Sequence, residues 1–384
     1  MTLRKRVVNY IRGWLPKEPH LPPRKIGATG LRTTLIVILS ISLIAASSIG
    51  AYVILQPPAS PQVPAPAINP PTTLGLTLHD LIYIMPDGSL SPSGASNVLT
   101  RNGDVFSFNE NISNSILIER NNTILDGSGH SLQGPGQVMG VGVSIWANNC
   151  TVKNINIIAW NTGIEGLEDN NSIVANNIIA VHGMLVYASN FTIYDNTLTG
   201  KLIGTSHVED LTGIDLYGNF SSIKDNRIQD FYAGLITSSD LGVTVVGNQI
   251  NNNSEGLTLT WPVPSYTSNA TSTLDVFYGN EISNCNKYGV SISGFNSILL
   301  FGNDFINNTK QAVDGNKAIG LSTAIDKWDN GTVGNYWSNY QSLYPKATAI
   351  GNSTIENTPY KIYTNNTDNY PLTQPTYSCK PSGG

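Results

Sequence analysis

Apolar and polar positions recur along this chain in one short pattern. An aliphatic or aromatic residue is followed three positions later by Asn and two further on by another apolar residue. Copies read IVANNI, IYDNTL, IKDNRI, VVGNQI, FYGNEI and LFGNDF, and an earlier copy, VKNINI, carries Ile155 in the Asn slot. The Asn column is Asn176, Asn196, Asn226, Asn248, Asn280 and Asn303, with steps of 20, 30, 22, 32 and 23 residues. A period of about 21 with two insertions of about ten is the mark of a solenoid.

A second column, Gly142, Gly163, Gly183, Gly213, Gly234, Gly256 and Gly289, is always followed by Val, Ile, Leu or Met. Each period therefore holds short runs of period-2 alternation, such as GIDL and then SSIKDNRI, which read as strands. No segment of these repeats offers the 3.6-residue period of a helix. The predicted fold is all-β: a right-handed parallel β-helix of about eight turns of about 21 residues, stacked at the strand spacing of about 4.8 Å. The Asn column suits a corner, where Asn tolerates left-handed backbone and its amides can bond along the stack. The Gly column suits a second corner, needing either positive φ or close backbone approach. A leucine-rich repeat has a similar period but wants an apolar residue five before the Asn. Asn171, Ser221 and Asp275 stand there in three copies.

The ends suggest placement. Residues 1–32 hold eight Lys or Arg and one acid, and residues 33–55 are 23 positions without a charge. At 1.5 Å per residue such a helix spans about 35 Å, enough for a hydrocarbon core of about 30 Å. The positive side stays inside, which puts the remainder outside the cell membrane; a cleaved signal peptide is the competing reading. Residues 56–73, with seven Pro, read as an extended linker. The expected order is a basic cytoplasmic segment (1–32), a transmembrane helix (33–55), the linker (56–73), an N-terminal cap (74–115), β-helix repeats (116–313), and a C-terminal cap and tail (314–384).

Charge narrows the partners. The chain has 21 basic and 26 acidic residues; without the first 32 positions it has 13 and 25, a net of −12. That excludes a basic stripe for nucleic acid. Twelve Asn-X-Ser/Thr sequons lie beyond residue 55, at Asn111, Asn121, Asn149, Asn170, Asn190, Asn219, Asn252, Asn269, Asn307, Asn330, Asn352 and Asn365. In an exported chain they are candidates for glycosylation. The three cysteines, Cys150, Cys285 and Cys379, occupy unrelated repeat positions and suggest neither a disulfide framework nor zinc.

Three segments go beyond a generic solenoid: LIYIMPDGSLSP (81–92), GDVFSFNENISNSILIERNNTILDGSGHSLQG (103–134), and WDNGTVGNYWSNY (328–340) followed by TPYKIYTNNTDNYPLTQP (358–375). With the repeats between them, this chain resembles archaeal surface proteins with a NosD-type right-handed β-helix domain, also described as carbohydrate-binding and sugar-hydrolase (CASH) repeats. The resemblance implies the fold and a cell-surface placement, and the family's namesake implies copper handling as one alternative. The four Met and five His have no paired spacing for copper, so no metal ligand is assigned. In the third segment Trp328, Tyr336, Trp337 and Tyr340 suit a cap over the open end of the core.

Candidate chemistry is sparse. Asp195 and Asp225 precede the ladder Asn in consecutive copies and would lie roughly 5 Å apart on neighbouring turns. Carboxylates so placed could share a cation such as calcium or act as an acid–base pair in a polysaccharide lyase or glycoside hydrolase. The plainer reading is two solvated acids softened by Lys224 and Arg227. The insertion at 199–212 carries His207, Glu209 and Asp210 and could arch over that pair. The insertion at 260–273 carries Trp261 and Tyr266, which could stack on a sugar ring. Trp146 and Trp160 read as edge or core packing. No P-loop, nucleophile elbow or HExxH occurs. The favoured reading is a membrane-anchored surface protein that contacts cell-envelope glycans or surface proteins, with no cofactor.

Overall fold

The computed structural model describes residues 81–136, 140–204, 206–238, 242–260, 274–293, 298–315, 326–363 and 366–376. They belong to one compact unit, residues 72–384. Among them no helix is long and apolar enough to cross a membrane; residues 33–55 lie outside the described set, as do Trp261, Tyr266, Asn269, Asn365 and Cys379.

The alternating repeats form parallel strands stacked turn upon turn. A short sheet has ten strands, all parallel except the outermost, Leu99–Asn102. An eighteen-stranded sheet wraps the other faces of the coil. Its bent strands Asn156–Gly166 and Asn177–Val186 each run along two faces, pairing with different partners on either side of the bend.

Three inward columns make the core. The short sheet contributes Phe106, Leu125, Val152, Ile173, Ile193, Ile223, Val245, Phe277 and Leu300, in direct register and sealed from solvent. A second column runs Leu132, Ile157, Ile178, Leu198, Ile228, Ile250, Ile282, Phe305 and Trp337. A third runs Val143, Ile164, Met184, Ile214, Leu235, Leu257 and Val290. Each fully buried aliphatic side chain contributes about 1.5–3 kcal/mol by leaving water. One turn alone could not bury its own share.

Polar columns hold the corners. Asn176 donates from its backbone N–H (2.9 Å) and from Nδ2 (3.0 Å) to Oδ1 of Asn196 on the next turn. The same double contact repeats from Asn196 to Asn226, Asn248, Asn280 and Asn303. These Asn are all buried. The column has one more member, Asn335, which accepts from Asn303, and it ends on Asp368. Five before the ladder Asn, buried polar residues alternate with buried apolar ones, Phe191, Val243 and Ile298. Asn171, Ser221 and Asp275 accept the N–H of Cys150, Phe191 and Val243 on the preceding turn. That contact explains the polar residue in the three turns where the apolar slot of a leucine-rich repeat is lost.

Two expectations are corrected. The left-handed corner residue is not the ladder Asn but the one before it: Asn154, Ala175, Asp195, Asp225, Gly247, Gly279 and Gly302 have φ between 51° and 68°. The ladder Asn instead turns inward to bond the next turn. The Gly column lies within strands rather than at a corner, and none of its members has positive φ. It is small because turns meet there: a Cβ on Gly163 would come within 2.6 Å of the Gly183 carbonyl oxygen, and one on Gly256 within 2.6 Å of that of Gly289.

The C-terminal end is closed by aromatic rings. Phe305, Trp337 and Tyr360 stack in series at 4.6 and 4.2 Å, with Trp328 and Tyr340 buried beside them. Tyr336 is half-buried.

Candidate functional site

Outward positions of the long sheet are set by the Gly column. Two residues after each Gly, the side chain points away from the core. In register these are Ser144, Glu165, Leu185, Asp215, Ile236, Thr258 and Ser291. Two further on come Trp146, Leu167, Tyr187 and Tyr217, each of whose N–H follows the same ladder to the preceding turn. These residues are half-buried except Tyr217, which is 43 % exposed.

On this face acids and aromatics gather. The Tyr187 and Tyr217 rings stack at 5.2 Å with 16° between planes. Asp215, two positions before Tyr217, is pushed up to about 6 by burial, against the Tyr217 hydroxyl in hydrogen-bonding range. Tyr217 is itself pushed up to about 12 by burial and by the Asp215 charge. Glu165, two strands from Asp215 and so about 10 Å away, is raised by burial and accepts from Ser144 Oγ at 3.3 Å. His182 pairs with Thr212, three residues before Asp215, and burial lowers it toward the neutral imidazole. Three polar atoms here, Trp146 Nε1, His182 Nδ1 and Asp215 Oδ1, are buried with no hydrogen-bond partner among the described residues. Orphaned buried polar atoms call for an explanation, and others lie at Arg120, Trp328 and Glu356.

The sequence-predicted candidates fall elsewhere. Asp195 and Asp225 are exposed at the left-handed corner, and Lys224 Nζ stands 3.5 Å from Asp225 Oδ2. The 199–212 insertion leaves the strand Thr197–Gly200 at its far end, about 13 Å from that corner. Its His207 backbone N–H donates to Asp210 Oδ2 at 2.7 Å, and Asp210 acts electrostatically on His182. Glu209 is exposed. The insertion thus borders the outer face of the long sheet. Trp160 is core, donating from Nε1 to the Leu132 carbonyl at 3.0 Å, whereas Trp146 is on the outer face.

Sequence reasoning missed Glu165, His182, Tyr187, Asp215 and Tyr217. The signal was present in GIEGL, GMLVY and GIDLY: counting two and four residues from each Gly gives the outward columns. Of the sequons, Asn111, Asn121, Asn149, Asn170, Asn190, Asn252, Asn307, Asn330 and Asn352 are exposed and Asn219 is half-buried. Asn149, Asn170, Asn190, Asn252 and Asn307 are themselves left-handed corner residues, with φ between 54° and 63°. Cys150 and Cys285 are buried and unpaired, and burial pushes the Cys285 thiol up to about 12.

The fold and its columns define a parallel β-helix protein. A family model described as "Right handed beta helix region" matches residues 199–325. Similar solved structures include two mutant forms of the periplasmic alginate epimerase AlgG. They are 13% and 12% identical, with 57% of this chain and 68% of that chain covered in each and TM-scores of 0.30 and 0.28. Another is the A-module of a mannuronan C-5 epimerase from Azotobacter vinelandii, 15% identical, covering 54% and 76% of the two chains with a TM-score of 0.22. No curated protein matches this chain.

Proposed function

We propose that this β-helix binds a linear glycan along the outer face of its long sheet, and that residues 33–55 anchor it outside the cell membrane. The observation that carries the reading is the stacked, partly exposed Tyr187–Tyr217 pair beside Asp215. The ring face that the stack leaves open offers apolar area to a sugar ring, and adjacent carboxyls accept its hydroxyl protons. The strands flooring this part of the face carry Glu165 and Asp215 and no Lys or Arg. That balance favours neutral or amino-sugar polymers and disfavours polyuronates, whose carboxylates would meet like charge.

The test is retention of the full chain on immobilised neutral, amino-sugar and uronate polymers. Saturable binding to one of the first two, weakened about tenfold by Tyr217→Ala, is the expected result; tenfold corresponds to about 1.4 kcal/mol. Retention on uronate polymers alone, or binding indifferent to Tyr217→Ala, overturns it. A second reading is kept for one observation: a carboxyl pushed up to about 6 beside a tyrosine is suited to proton transfer. New sugar ends released during the same incubation, and lost in Asp215→Asn, would make the chain an enzyme. The residue to test is then Asp215 rather than Asp195 or Asp225.

A further inference from the structure

We infer that Asn330 is an N-glycosylation site whose first sugar seats on an aromatic shelf of this same chain. Beside Asn330 lies a mostly apolar open cavity of about 270 Å³, lined by Tyr278, Gly279, Phe301, Gly302 and Val333 among others. The Tyr278 and Phe301 rings, on neighbouring turns, stack on each other at 5.4 Å and within 9° of parallel, so their edges and the outer ring faces border the cavity. Its floor is the left-handed corner column. Earlier turns place Asp195 and Asp225 there, whereas Gly279 and Gly302 leave it bare, and a Cβ on Gly279 would meet nothing within 4 Å. A volume at the low end for small-molecule sites fits one pyranose ring rather than an oligomer. Aromatic faces are the usual partners of a sugar's apolar side.

The asparagine is presented for modification. Asn330 is exposed and opens Asn330-Gly331-Thr332. Its Oδ1 accepts from Thr332 N–H (3.0 Å), Thr332 Oγ1 (2.9 Å) and Val333 N–H (2.8 Å). These contacts fix the carboxamide and leave Nδ2 without a hydrogen bond among the described residues. At Asn149 and Asn252 that nitrogen is engaged, by Asn122 Oδ1 at 3.3 Å and by Asp230 Oδ1 at 2.6 Å. In the transfer step Nδ2 attacks the anomeric carbon of a lipid-pyrophosphate-linked sugar. The C–N bond forms, the C–O bond to the phosphate breaks, and one Nδ2 proton passes to a carboxylate of the transferase. The donor and the transferase belong to the export machinery, so the inference rests on this end of the chain lying outside the cell. It does not depend on glycan binding by the long sheet.

The experiment uses the full chain from a glycosylating host, with peptide mass spectrometry and enzymatic glycan release under native conditions. Asn330 is expected to be occupied. Its glycan should come off about three- to tenfold more slowly than one at the exposed Asn352, a difference of about one ring-stacking contact. Denaturation should erase the difference, and Tyr278→Ala should erase it without changing occupancy. An empty Asn330, equal release at both sites, or protection that persists in Tyr278→Ala overturns the inference. Absence of sugar at every sequon overturns it together with the extracellular placement.

Discussion

Asp215 and Asp368 are both drawn out of water by the same coil, and the fold surrounds them differently. Asp368 is fully buried, and its two oxygens accept N–H bonds from Asn335 (2.7 Å), Tyr370 (3.0 Å) and the Trp337 indole (2.9 Å). Asp215 has the Tyr217 hydroxyl within range of one oxygen, and its Oδ1 is sealed without a partner among the described residues. Burial raises both, to about 7 and about 6. At Asp368 the three N–H donors all favour the ionised form and oppose the effect of burial. The comparison shows that burial alone does not identify a working carboxyl. What separates the two is whether the protein has already supplied donors. Where it has, the group is a structural terminus; where it has not, the group is kept for something else.

The strongest way to break this contrast is Asp368→Ala. Three buried donors would lose their acceptor, and destabilisation of about 3–5 kcal/mol is expected in denaturant unfolding. A loss below about 1 kcal/mol would remove Asp368 from its role as the end of the ladder. Asn226→Ala, in the middle of the same ladder, should cost about 2–4 kcal/mol by orphaning the Asn196 N–H and removing its own Nδ2 bond to the Ile193 carbonyl.

Asp215→Asn should act in the opposite direction. The Asp215 carboxyl is raised in the folded chain above its unfolded value of 3.8, so the folded state holds the proton more tightly. Its stability contribution is full below about pH 4 and is lost as pH rises through about 6. Neutral asparagine should therefore stabilise the protein above pH 6, by at most about 3 kcal/mol, and flatten stability between pH 4 and 6. Equal pH profiles for the two proteins would show that Asp215 is not perturbed. The smallest effect is expected at the corner. Ala175 has φ of 52°, and Ala175→Gly should stabilise by about 1 kcal/mol, readable as a small rise in the unfolding midpoint.

Much of this architecture was legible because inward positions obey a strict period. Any residue in the core column must match the turns above and below, so the apolar and Asn columns stood out across two insertions. Asn335 escaped because Thr332 occupies the slot where other copies have an apolar residue, although the Gly-Asn pair and Trp337 two positions later were visible. The outer face was not legible in the same way. Ser144, Glu165, Leu185 and Asp215 occupy one column but share no chemistry, since an outward position need not match the turns above and below as a core position must. Their grouping required register across the 199–212 insertion. The sequons illustrate the converse: several Asn occur where the backbone turns left-handed, which by itself accounts for Asn in that row.

The Asn ladder has a direction. Every rung gives two N–H bonds toward the C-terminal end, and every rung after Asn176 receives two from the other side, so each presents the next with the same face it met. A ruler has this property: graduations can be added or removed from the middle without altering the marks beside them. The ends differ: Asn176 receives a single bond from Ile155, and at the last position Asp368 receives without passing anything on. The reach of the coil is thus a quantity that can change one rung at a time, while the chemistry of its ending stays the same.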